Sequence, residues 1–86
     1  MHSKEMIEDI IRDAVKNVTG ITALERDTNL IDQELKIIPV DFLYIFDILE
    51  KKLQVPAHNI FIDHTFEVMS VAKLADALFE LGTDTI

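Results

Sequence analysis

The sequence predicts an all-α fold, a bundle of three long helices and one short helix. Apolar residues recur at helical spacing in three separate stretches, and the two glycines and two prolines among 86 residues are too few for the many turns of a β-fold. This length suits one domain and not two, so residues 1–86 are expected to share a single hydrophobic core.

The first helix is predicted over residues 4–18. Ser3 is expected to cap its start, because a serine oxygen can accept from the free amides of a first turn. Gly20 is expected to end it in the left-handed conformation. Six apolar residues form the stripe that faces the core: Ile7, Ile10, Ile11, Ala14, Val15 and Val18. Five charged residues are expected on the solvent side: Glu5, Glu8, Asp9, Arg12 and Lys16.

A long connection follows, over residues 20–38. Its sequence Asp27-Thr28-Asn29 is typical of a turn. Four apolar residues indicate that the connection packs against the helices and is not a free linker: Leu24, Leu30, Ile31 and Leu35.

The second helix is predicted over residues 39–53. Pro39 suits its first position, where the missing amide costs no hydrogen bond. Asp41 in the first turn and Lys51 and Lys52 in the last agree with the helix dipole. Five residues form the core stripe: Phe42, Ile45, Phe46, Leu49 and Leu53.

A short third helix is predicted over residues 55–61, and a fourth helix over residues 70–81. Ser70 is the expected cap of the fourth helix and Gly82 its expected stop. The core stripe of the fourth helix is Val71, Leu74, Ala75, Leu78 and Phe79. By spacing, most of the five phenylalanines, which include Phe61 and Phe66, are expected in the core.

Composition excludes several functions. Sixteen acidic residues against eight basic ones give a net charge of −8, which opposes binding to nucleic acids and to anionic membranes. The chain has no cysteine and no apolar run long enough to span a membrane, so a cytoplasmic protein is expected. We also expect it to be a monomer. His58, Asp63 and His64 do not have a familiar metal-ligand spacing, and no set of residues indicates an enzyme.

Several segments carry a resemblance to a known family. They are Asp27-Thr28-Asn29-Leu30-Ile31-Asp32, the helix from Phe42, Leu53-Gln54-Val55-Pro56 with Ile60 after it, and Ser70-Val71. In this order and spacing they resemble the acyl and peptidyl carrier proteins, from residue 7 to residue 81. The resemblance implies an acyl-carrier-protein-like bundle.

The family's attachment site is missing. In the carriers, a serine at the start of the second helix binds 4′-phosphopantetheine, and the matching position here is Pro39 or Ile38. No Ser or Thr occurs between Asn29 and His64, and Tyr44, the nearest hydroxyl, lies more than a helical turn later. We therefore expect a degenerate carrier without a phosphopantetheine arm and without another cofactor.

The resemblance then implies a non-enzymatic protein–protein interaction or scaffold module. It extends to acyl-carrier-related proteins without this serine that are associated with bacterial peptide-maturation clusters. The implied partner is an enzyme of a biosynthetic or maturation pathway. Two alternatives stay open: an active carrier modified at a non-standard hydroxyl such as Ser70, and a small lipid-binding module.

The partner surface is expected on the outer face of the second helix, opposite its core stripe. Carriers meet their enzymes through this face. Six residues form it here: Val40, Leu43, Tyr44, Asp47, Glu50 and Lys51. An apolar cluster rimmed by charge often marks a contact site. The alternative is that the connection around residues 24–35 folds over these side chains and buries them.

Overall fold

The computed structural model describes residues 3–22, 24–60 and 70–84. Over these ranges the fold is all-helical and contains no β-strand. It has three α-helices, α1 (Lys4–Thr19), α2 (Pro39–Leu53) and α3 (Val71–Asp84), with 3₁₀ turns at Gln33–Leu35 and Ala57–Asn59. The central helix is α1, which packs against both α2 and α3.

The predicted stripes form the core. Among the described residues Phe46 is the largest fully buried side chain, and most of the core comes from the three helices. From α1 it takes Ile7, Ile11, Ala14 and Val15, from α2 Ile45, Phe46, Leu49 and Leu53, and from α3 Val71, Leu74, Ala75, Ala77 and Leu78. Ile10, Val18, Phe42 and Phe79 are half-buried at the edge of this core. Phe61 and Phe66, also expected in the core, lie outside the described residues.

Two predicted caps define the ends of α1. The Ser3 hydroxyl oxygen accepts a hydrogen bond from the Met6 amide at 3.2 Å. Gly20 adopts the left-handed conformation with φ 80°, and its amide donates to the Lys16 carbonyl oxygen at 2.8 Å. A residue with a Cβ would be strained at that φ, so glycine is favoured at this turn.

The connection before α2 is fixed to α1 by two arginines. The Arg26 Nε atom donates to both carboxylate oxygens of Glu8, at 2.9 and 3.2 Å. The Arg12 Nε atom donates to the Leu24 carbonyl oxygen at 3.0 Å. Leu24 and Leu30 are buried as expected, and Leu35 is half-buried. The prediction for Ile31 is wrong: it lies on the exposed side of an Asx turn closed by Asn29.

Glu8 also differs from its prediction. Its charge predicted a solvated position, but the residue is only 5% exposed. The carboxylate is buried because Arg26 covers it from the connection while Arg12 lies beside it on α1, 3.6 Å away. A buried charge needs such partners to offset the loss of water.

The short helix over residues 55–61 is not confirmed. Ala57–Asn59 form a single 3₁₀ turn, in which the Asn59 amide donates to the Pro56 carbonyl oxygen at 2.9 Å, and Phe61 lies outside the described residues. The stop at Gly82 is wrong, because α3 continues to Asp84. Leu81 packs against the core, and such packing outweighs the roughly 1 kcal/mol that a glycine costs a helix.

The start of α3 is capped by a side chain and by the connection. The Ser70 hydroxyl oxygen accepts from the Lys73 amide at 3.2 Å, as predicted. The Arg26 carbonyl oxygen accepts from the Ala72 amide at 2.8 Å, and that of Thr28 from the Val71 amide at 3.3 Å. The free amides of this first turn are thus satisfied without water.

Ser70→Ala is expected to lower the free energy of unfolding by about 1 kcal/mol, because the Lys73 amide loses its acceptor. Urea unfolding followed by circular dichroism measures the change. Ser70→Asp is the matched control, since aspartate also caps helices and should retain most of the stability. Equal losses in both variants would contradict a capping role for Ser70.

Candidate functional site

The second helix begins at the position where the resemblance places the modified serine. Ile38 precedes it in an extended conformation, and Pro39 is its first residue. The Ile38 amide donates to the Asp41 carboxylate at 3.3 Å, and the Asp41 amide donates to the Ile38 carbonyl oxygen at 2.9 Å. Ile38 has no side-chain acceptor for the first-turn amides. Both candidate positions are exposed, and neither has a hydroxyl.

The outer face of α2 is open to solvent at its N-terminal half. Val40 is 45% exposed, Leu43 57% and Tyr44 61%. The connection does not cover these side chains, because it packs on α1 and on the start of α3 instead. Ile38 is 53% exposed just before them. We call Ile38, Val40, Leu43 and Tyr44 the outer patch.

The three charged residues predicted on this face are engaged within the chain. Asp47 and Lys51 form an ion pair with 3.0 Å between the carboxylate oxygen and Nζ. Glu50 turns toward the 3₁₀ turn, where its carboxylate accepts from the His58 amide at 3.0 Å. The His58 Nε2 atom lies 3.8 Å from the same oxygen. The face therefore has an apolar half near the helix start and a polar half whose charges are partly neutralised.

Most of the described hydroxyl groups take part in local hydrogen bonds with the backbone. Ser3 and Ser70 cap helices, Thr19 donates to the Val15 carbonyl oxygen, and Thr28 accepts from the Glu25 amide. Tyr44 is exposed, but this residue lies beyond the first turn of α2. These four hydroxyls thus serve local caps and turns in segments other than the start of α2.

Other candidate sites offer less. An open groove on α1 is lined by five residues: Asp9, Arg12, Asp13, Lys16 and Thr22. The Arg12 guanidinium already donates to the Asp9 carboxylate and to the Leu24 carbonyl oxygen. Within the described ranges no group of three or more His, Asp or Glu side chains is placed to hold a metal ion. Asp63 and His64, weighed as ligands with His58, lie outside those ranges.

Sequence reasoning missed that Ile38 belongs to the exposed surface. From the sequence it was only a candidate attachment position, in an extended segment before proline. Its exposure joins it to the apolar half of the α2 face.

Comparison with known proteins found no match for this chain. No family model matches it, and neither a curated protein nor a solved structure is significantly similar to it. In the part of the chain that the structure describes, no helix has the length and apolar character needed to cross a bilayer.

Proposed function

We propose that this chain is a non-enzymatic protein–protein interaction module of the acyl-carrier type, without a phosphopantetheine arm. Its outer patch and the adjoining face of α2 dock onto a partner enzyme of a biosynthetic or peptide-maturation pathway. The observation that carries the proposal is the outer patch itself, four apolar side chains left exposed next to a helix start that has no hydroxyl. Exposed apolar clusters rimmed by charge often mark interaction sites.

The order and packing of the helices support the carrier comparison. A long first helix packs against a second helix that starts after a long connection, and the last long helix also packs against the first. Tyr44 adds to the docking interpretation, because tyrosine is enriched among the residues that dominate binding energy.

The absence of an arm is tested by co-expression with a broad-specificity phosphopantetheinyl transferase. We expect the intact mass to stay unchanged, because Ile38 and Pro39 offer no hydroxyl oxygen for the phosphodiester. In the carriers an aspartate precedes the modified serine, so Ile38→Asp with Pro39→Ser introduces both residues and should gain some labelling if only the hydroxyl is missing. A mass increase on the unaltered chain, mapped for example to Ser70 or Tyr44, would favour the active-carrier alternative instead.

The docking face is tested by Leu43→Asp and Tyr44→Ala. Both side chains are exposed, so each change should alter the free energy of unfolding by no more than about 0.5 kcal/mol. The same changes should weaken the complex with the partner enzyme by more than about 1 kcal/mol. Calorimetric titration measures the binding, and thermal unfolding of the isolated chain measures stability.

Lys73→Ala is the matched control, since it removes an exposed side chain from α3 and should leave the binding unchanged. Loss of stability in Leu43→Asp or Tyr44→Ala would show that the face is covered in solution. Unchanged binding in both variants would show that the partner docks elsewhere.

A further inference from the structure

We draw no further inference here: the strongest candidate, the open groove lined by α1 and Thr22, holds two acidic and two basic side chains whose charges offset each other, and nothing in the structure shows which ligand it would bind.

Discussion

Phe46→Ala is expected to lower the free energy of unfolding by about 3–5 kcal/mol. Phe46 is the largest fully buried side chain in the part of the chain that the structure describes, and its ring also lies near the His58 ring, with 6.0 Å between the centroids. Truncation to alanine removes apolar contact and leaves a cavity that the surrounding helices can fill only in part. Urea unfolding, with the slope compared between variants, measures the loss.

Two further variants complete this test. Tyr44→Ala removes an aromatic ring from the same helix at a position that is 61% exposed, and should cost no more than about 0.5 kcal/mol. Phe46→Leu keeps most of the volume and should cost about 1.5 kcal/mol or less, which provides a measurement if the alanine variant does not fold. Similar losses in Tyr44→Ala and Phe46→Ala would show that the faces of α2 are assigned wrongly.

Glu8→Ala is expected to cost about 2 kcal/mol, because hydrogen bonds to charged groups contribute roughly 1.5–3 kcal/mol. The Glu8 carboxylate holds Arg26 at 2.9 and 3.2 Å and so fixes the connection to α1. The same stretch of the connection supplies the carbonyl oxygens that cap α3. Loss of Glu8 should therefore weaken both the packing of the connection on α1 and the cap at the start of α3. Thermal unfolding measures the effect.

Asp9→Ala is the matched control for Glu8. The two acids are neighbours on α1 and both contact Arg12, but the Asp9 side chain is exposed. An exposed pair contributes little, so the Asp9 change should cost about 0.5 kcal/mol or less. If the two variants lose the same stability, the Glu8–Arg26 contact is not a significant tie between α1 and the connection.

The helices were predictable because their apolar residues repeat with the period of a helix and their ends carry suitable caps. Ser3, Gly20 and Ser70 each act as the local sequence indicates, since a cap depends on residues within one turn of it. The end of α3 was not predictable from Gly82, because packing of Leu81 on the core extends the helix beyond it.

Contacts between distant residues escaped the sequence analysis. Charge alone placed Glu8 in water, and nothing near it in the sequence points to Arg26. The three-dimensional path of the connection decides this contact. The same path decides which of two alternatives holds for the face of α2: the pattern left open whether residues 24–35 cover Leu43 and Tyr44, and the structure shows both exposed.

The residues of the candidate site were predictable to different degrees. Helical spacing was enough to place Val40, Leu43 and Tyr44 on the outer side. The engagement of Glu50 with His58 depends on how the chain turns after α2, which helical spacing does not specify. The sequence therefore predicted which residues lie on this face. Which of its charged side chains are already paired within the chain is visible only in the structure.

The carbonyl oxygens of Arg26 and Thr28 that bind the Ala72 and Val71 amides have a consequence for the order of folding. These bonds join segments that are far apart along the chain, so the first turn of α3 is complete only after the connection has closed onto it. In native-state hydrogen exchange, these two amides would open together with the connection and not with the rest of α3. The exchange rates of these two amides would therefore report whether the connection, which lies far away in the sequence, is docked on α3.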